Sequence, residues 1–596
     1  MTSTYNPLKN CNKTVEMATK LENGKLYLLD QRDIVTCWWQ CLFAKDDHSF
    51  TKGPWTKLTN GSVPECDVIE TTCREKHDTD SMELTPDDSG YNATMFYEFL
   101  HVQVYRKDAP KNVTETPTSI PPDVHIILFD STSDSHFTRA MPKTRHYLRE
   151  HFEAVAFPYL NKIHLNSRPN AFAFLMGKAN WDIAKSPMSV GYPDDYECKS
   201  QCFEDISKDQ FIGYQYQEAG YKTLMSEDYL LAVFTPPYCW GFNSTPVDHY
   251  MRPYQLRVDY QTYKTPKLQG DIYKGVCRDS FAPQMDYLKD MLDKYPNTPK
   301  FTITWFTYMT HDDINGLFHA DNYFYNWFRE NNEKLDNSYL FVMADHGIRY
   351  GEARQTASGE REDNNPVFLM SLPRSLRDDN QLVSTVRKNS RQLISHYDVY
   401  ATFADIAAPN RPSNSKTPLL HGSSVLKPLP QPRTCDRLRI PFEYCICDYP
   451  KTTLPEDGAP GREAAAYIVE TMNEVIEGSN YRNVCEHLTV SETPVITESF
   501  IVEGNLSIYK VTFSVSPGDG KFFGHVMQNR TTGEFSSLSR RFPRLNAYAK
   551  SAYCAEDFGY AAYCHCGGET KTTNSLLPTT PDSIKNSSLF NKISGL

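Results

Sequence analysis

The chain has no run of about 18 apolar residues, so no stretch of it is long enough to cross a bilayer as a helix. Its opening residues, MTSTYNPLKN, lack the apolar segment of a secretory leader. Basic residues form no stripe: 62 Lys and Arg stand against 74 Asp and Glu, and the net charge of -12 is spread along the chain. That distribution favours solubility and argues against a nucleic-acid surface. No two Cys-x-x-Cys units stand at finger spacing, which disfavours zinc knuckles, and no internal repeat is present.

What is abundant points to one compartment. Sixteen cysteines, several close together (Cys37/Cys41, Cys66/Cys73, Cys198/Cys202, Cys445/Cys447, Cys564/Cys566), accompany Asn-x-Ser/Thr sequons at Asn12, Asn60, Asn92, Asn112, Asn243, Asn505, Asn529 and Asn586. An even cysteine count with many sequons predicts disulfides and glycans on an extracellular or secretory-lumen protein. A leader or membrane anchor would then lie outside this chain.

At 596 residues the chain exceeds one core. Residues 1–118 carry short strand-like runs and five cysteines, and predict a disulfide-rich β domain ending in a Pro/Thr-rich linker, KDAPKNVTETPTSIPPD. Residues 119–450 change texture. VHIILFD, KFTITWFTYM, SYLFVMAD and PVFLMSLP are near-continuous apolar runs separated by helical patterning, which predicts an α/β core with a mostly parallel sheet covered on both faces. Residues 451–596 open with an amphipathic helix, GREAAAYIVETMNEVIEG, continue with alternating runs such as LSIYKVTFSV, and predict a C-terminal α+β domain with a cysteine-rich end.

Polar residues at the carboxyl ends of parallel strands line the ligand crevice of such a sheet. Asp130 closes the first run, Asp345 and His346 close the third, and His311, Asp312 and Asp313 follow the second. Each alone reads as a cap or turn; together they supply the acids and imidazoles that a divalent cation needs. Ser167, in LNSRPNAFAFLMG, precedes a predicted helix with Pro169 in its first turn, a favourable setting for a nucleophilic hydroxyl or for an N-cap.

The order FDS, SRPNAFAFLMG, THDD, ADHG resembles the alkaline phosphatase superfamily, which includes phosphatases, sulfatases, phosphodiesterases and phosphoethanolamine or phosphoglycerol transferases. DSTSDSHFTRAMPKT, GYKTLMSED, PVDHYMRPY, RYGEARQTASGEREDNNP, HYDVYATFADI, HGSSVLKPLPQPRTC and RLNAYAKSAYC look like the animal extracellular family catalogued as domain of unknown function 229. The resemblance implies an alkaline phosphatase-like core and a metal-dependent phosphoester hydrolase or phosphotransferase. Asp130, Asp345, His346 and Ser167 would hold a divalent metal, Zn or Mn first and Ca or Mg next, with Ser167 also the nucleophile. His311 would face the leaving group, and Asn170 and Asp312 would contact the substrate, a phosphoester or an anionic glycan or lipid head group. His311, Asp312, Asp313, His319 and His421 are candidates for a second metal, though one site is favoured.

This chain has Ser167 where phosphotransfer relatives commonly have Thr, and Asp134 where family members often carry Arg. Sulfatases need Arg where Ala171 stands, which ranks sulfate-ester chemistry below phosphoester chemistry. A catalytically silent extracellular binding protein on the same fold is the reading of a different class.

Overall fold

Five strands running in one direction form the centre of the molecule. In this computed structural model, which describes residues 4–75, 85–88, 95–107, 120–196, 202, 205–236, 239–260, 263–502, 504–539, 541–548, 550–555 and 558–567, the central sheet has seven strands. Their order is His249–Tyr250, Lys222–Glu227, Lys300–Phe306, Asp123–Phe129, Ser338–Met343, Phe368–Ser371 and Val155–Ala156. The first five are mutually parallel. The last two are antiparallel to their neighbours, so the PVFLMSLP run is the exception to the parallel expectation.

The strands lack alternation because both faces are covered. Lys300–Phe306 and Ser338–Met343 are buried along their whole lengths. Val124, Ile126, Leu128, Ile303, Trp305 and Phe341 pack with Phe174, Tyr216 and Phe403 on one face. Ile127, Phe129, Phe306, Leu340 and Val342 pack with Phe137, Leu288 and Phe324 on the other. Each such side chain contributes roughly 1.5–3 kcal/mol of burial free energy, which holds the strand ends, and any residue placed there, in a fixed frame.

An antiparallel N-terminal sheet includes Val35–Ala44, Val68–Glu75 and Met95–Val102, stapled by Cys37–Cys73 and Cys41–Cys66. Its apolar core is shared: Leu42, Val68, Ile69 and Leu100 pack with Tyr254, Leu256, Tyr287 and Met291 of the central unit. The C-terminal sheet, Lys451–Thr453, Ile496–Phe500, Leu506–Ser516, Gly520–Asn529 and Phe535–Ser537, is antiparallel and is covered by the helix Ala459–Glu477. Ala464, Ala465, Ile468, Val469, Met472 and Ile476 form the buried stripe of that helix, at the three- and four-residue spacing of an amphipathic face.

The disulfides join cysteines across the local clusters rather than within them. The pairs are Cys11–Cys277, Cys37–Cys73, Cys41–Cys66, Cys202–Cys239, Cys435–Cys445, Cys485–Cys564 and Cys554–Cys566. Cys447 is free and exposed. Of the sequon asparagines, Asn12, Asn60, Asn243 and Asn505 are exposed and Asn529 is half-buried. Asn92, Asn112, Asn586, Cys198 and most of the Pro/Thr-rich linker lie outside the described residues. Among the described residues no helix is long and apolar enough to cross a membrane.

Candidate metal centre

Because the strands Asp123–Phe129, Lys222–Glu227, Lys300–Phe306 and Ser338–Met343 are parallel and adjacent, the residues that follow them share one sheet edge. Asp130, Asp228, Thr307 and Asp345 collect there, all buried. Backbone hydrogen bonds fix the edge: Asp130 N donates to Phe306 O at 2.9 Å, and Ala344 N to Val367 O at 3.0 Å. His346 comes to the same edge directly after Asp345.

Asp130, Asp345 and His346 each present one ligand atom, and these atoms lie within 4.8 Å of one another. The hydroxyl of Ser167 completes the group, with Oγ 3.3 Å from Asp130 Oδ2 and 3.3 Å from His346 Nε2. Ser167 is the first residue of a short helix, Ser167–Ala171, with Asn166 at the N-cap. The hydroxyl of Ser167 therefore faces the cluster instead of capping its own helix.

The donor chemistry fits a cation. His346 Nδ1 lies 2.7 Å from Gly347 O, an atom that only accepts, so Nδ1 carries the proton and Nε2 presents a lone pair. Asp345 Oδ1 is satisfied by the amides of Ser131 at 3.1 Å and His346 at 2.9 Å, whereas its Oδ2 is buried with no hydrogen-bond partner. Two carboxylates and an imidazole lone pair therefore converge, and the Ser167 hydroxyl has one proton to offer them. Burial, together with the mutual repulsion of the two acids, pushes the Asp130 carboxyl above the usual carboxylate range. Burial likewise raises Asp345. Burial lowers His346 to about 4, which leaves it neutral, as a ligand must be.

A further layer holds these groups. His396 Nε2 donates to Asp345 O at 2.7 Å. Gly347 N donates to Asp363 O at 2.9 Å, and the Asp363 carboxylate pairs with Lys162 and, at 2.7 Å, with Arg354. Gly347 has no positive φ; it is glycine because a Cβ there would stand 2.0 Å from Glu362 O. The turn reading of ADHG becomes a close backbone approach.

His311 lies at the opening of the site, its side chain 17% exposed. Asp312 Oδ1 is 2.7 Å from His311 Nδ1 and also accepts from Tyr350 Oη at 2.7 Å. Hydrogen bonding to His311 drops the Asp312 carboxyl to about 2. Arg349 Nη2, which can only donate, lies 3.2 Å from His311 Nε2, so the imidazole proton is on Nδ1. Asp312 thus orients His311.

The expectation for Asn170 is corrected. Asn170 offers no free amide to a substrate: its Oδ1 accepts from Ile163 N at 2.9 Å and His164 N at 3.2 Å, and its Nδ2 donates to His164 O and Asn166 O, both at 3.0 Å. It shapes the loop that delivers Ser167. Of the second-metal candidates, His311 and Asp312 bond each other at 2.7 Å, His319 pairs with Asp279 at 2.9 Å, His421 with Asp195 at 2.7 Å, and Asp313 Oδ1 accepts from Asn315. Among the described residues the acid and imidazole side chains gathered closely enough to hold a metal are Asp130, Asp345 and His346. Asp134 brings no unpaired charge to the site, since Arg145 Nη1 holds it at 3.0 Å.

The sequence reading missed Asp228 and Arg349. Asp228 Oδ1 accepts from Thr307 N at 2.5 Å, and burial raises the carboxyl to about 7. Its strand, KTLMSE, is too mixed to stand out as a run, although an acid immediately after it is the signal Asp130 gives. Arg349, three residues beyond His346, has no such pattern around it.

A family model described as "Protein of unknown function (DUF229)" matches residues 4–493. No curated protein matches. Similar solved structures include a protein in the alkaline phosphatase superfamily from Vibrio parahaemolyticus (12% identity, covering 75% of this chain and 86% of that one, TM-score 0.34). The lipoteichoic acid synthase LtaP from Listeria monocytogenes is 10% identical over 70% of this chain and 87% of its own, with a TM-score of 0.35. The C-terminal periplasmic domain of EcEptC from Escherichia coli is 13% identical over 50% of this chain and 88% of its own, with a TM-score of 0.32.

Proposed function

The chain belongs to the family described as protein of unknown function (DUF229), and from its buried cluster we propose that it is a metal-dependent phosphoester hydrolase or phosphotransferase that works through Ser167. The observation that carries this is the placement of Ser167 Oγ, 3.3 Å from both Asp130 Oδ2 and His346 Nε2, in a cluster whose Asp345 Oδ2 is buried with no hydrogen-bond partner. Asp130, Asp345, His346 and Ser167 would hold one divalent cation, Zn or Mn by the mixture of oxygen and nitrogen donors. Bound there, a cation of this type lowers the pKa of a hydroxyl and offsets charge on a phosphoryl oxygen.

The remaining steps belong to the chain's own residues. The Ser167 hydroxyl would release its proton to solvent on becoming a ligand, and Oγ attacks phosphorus, forming an Oγ–P bond as the bond to the leaving oxygen breaks. Its setting at the head of a helix keeps that oxygen close to Asp130 and His346. Asp312 holds Nδ1–H of His311, which leaves Nε2 as the proton carrier. Protonated, Nε2 gives its proton to the departing oxygen; unprotonated, it takes one from the water or acceptor hydroxyl that cleaves phospho-Ser167. The disulfides and exposed sequons support an extracellular or lumenal setting, with an anionic glycan or lipid head group among the candidate substrates.

The test uses purified full chain. Elemental analysis should find about one equivalent of divalent metal, and a generic aryl phosphodiester should be turned over by the wild type and not by Ser167→Ala. Absence of bound metal together with no Ser167-dependent turnover of diester, monoester or sulfate ester would sink the proposal and favour a silent binding protein.

A further inference from the structure

We propose that Arg349 is the anion-binding residue of this site, the group that takes a non-bridging oxygen of the tetrahedral ester held over Ser167; this rests on the phosphoester reading above. The arginines around it are spoken for. Arg354 pairs with Asp363 at 2.7 Å, Arg139 with Glu362 at 2.8 Å, and Arg145 with Asp134 at 3.0 Å. Arg349 has no carboxylate within ion-pair distance among the described residues. Its Nη2 donates to a neutral acceptor, His311 Nε2, at 3.2 Å, and its Nε is buried with no partner.

A guanidinium has five N–H donors and no acceptor, and leaving it enclosed without an anion is costly. The fold retains one here, in the loop that directly follows Asp345 and His346, against the ring of Tyr350 at 5.9 Å. The closed side of the site belongs to Asp130, Asp345 and His346, which are at most 2% exposed. Ser167, His311 and Arg349 are the partly exposed members, so the guanidinium stands on the more open side of the site. A planar fork suits a phosphoryl group, since two of its N–H groups reach two oxygens of one tetrahedron. The hydrogen bond to His311 Nε2 then has a second consequence. An arriving anion that draws Arg349 to itself frees that nitrogen for proton transfer, so anion binding and proton transfer are coupled through one side chain.

Inorganic phosphate is the probe. Calorimetric titration of the metal-loaded full chain should show phosphate binding that weakens about 10- to 100-fold in Arg349→Gln, with Arg349→Lys between, as expected for hydrogen bonds to a charged group. Metal content is measured on the same samples and should be unchanged. Where a variant fails to fold or loses metal, the wild type decides: phenylglyoxal labelling of Arg349, mapped by peptide mass spectrometry, should be blocked by phosphate. Unchanged phosphate affinity in a folded, metal-bearing Arg349→Gln, or labelling indifferent to phosphate, overturns the proposal. If diester turnover persists alongside that result, the Ser167 reading stands and the anion role alone fails. Arg349-dependent phosphate binding with no Ser167-dependent turnover is the reverse outcome.

Discussion

Replacing Asn170 by Ala separates two roles that its position alone does not distinguish. Its carboxamide makes four hydrogen bonds to backbone groups of Ile163, His164 and Asn166, at 2.9 to 3.2 Å, and it is fully buried. Each such bond is worth about 0.5–1.5 kcal/mol net, and truncation leaves buried amides and carbonyls without partners. Allowing for water reaching the partly exposed His164 and Asn166, the expected cost is roughly 2–4 kcal/mol. The readouts are the denaturant midpoint and the hydrogen exchange of the Ile163 and His164 amides, which should speed up before any global change. Asn170→Asp is the control: its carboxylate keeps both acceptor bonds but turns an oxygen toward two carbonyls, so it should be at least as unstable near neutral pH and recover as acid protonates it. If Asn170→Ala keeps wild-type stability and exchange while losing phosphate affinity, Asn170 is a substrate donor after all and the positioning argument is wrong.

Two other perturbations test neighbouring parts of the argument. Gly347→Ala puts a Cβ 2.0 Å from Glu362 O and 2.9 Å from Asp363 Cα, backbone atoms that cannot turn aside, so the loop after His346 must shift. Metal affinity should fall at least tenfold with the far-ultraviolet spectrum preserved, and unchanged metal binding by equilibrium dialysis would contradict the close-approach reading. Glu360 joins the central unit to the C-terminal sheet through Lys510; despite burial, Lys510 and Arg354 bring its carboxyl from 4.5 down to about 2. A depressed folded pKa gives stability that is present above about pH 4.5 and lost as pH falls through about 2. That contribution is roughly 3 kcal/mol, and acid unfolding of Glu360→Gln should show a correspondingly flatter pH dependence in that window.

The site was legible in the sequence where the hydrophobic pattern itself marked it. Asp130 and Asp345 end uninterrupted apolar runs, and a parallel sheet must bring such ends together, so burial periodicity was enough to find both. Ser167 was found through its local helix-start pattern. What needed coordinates is whatever depends on contacts between distant segments. Lys162 and Asp363 are 201 residues apart and meet only because the strands between them fix the fold. Asn170 illustrates a different limit: an amide near a nucleophile is equally suited to a substrate oxygen or to its own loop, and only the four filled hydrogen-bonding positions choose between them. His319, in a short helical turn, and His421, in a loop, carried the right chemistry outside the acid and imidazole cluster, where ordinary carboxylates hold them.

The expected division at residues 118 and 450 follows texture, and the packing bears on how far the pieces are separable. The N-terminal strands do not close a core of their own; they share one with Tyr254, Tyr287 and Met291, and Cys11–Cys277 fastens the two covalently. At the other end, Gly351 N donates to Leu545 O at 2.9 Å, Lys521 reaches Gln355 Oε1 at 2.9 Å, and Lys510 pairs with Glu360. Gly351 lies two residues from Arg349, so the C-terminal unit grips the segment that carries the unpaired guanidinium. An arginine without a carboxylate partner would gain from swinging outward into water. Fixing the chain on both sides of it, at Gly347 by the 357–364 helix and at Gly351 by the C-terminal unit, opposes that movement. The C-terminal unit therefore bears on the proposed anion site through a backbone hydrogen bond in the loop that follows His346.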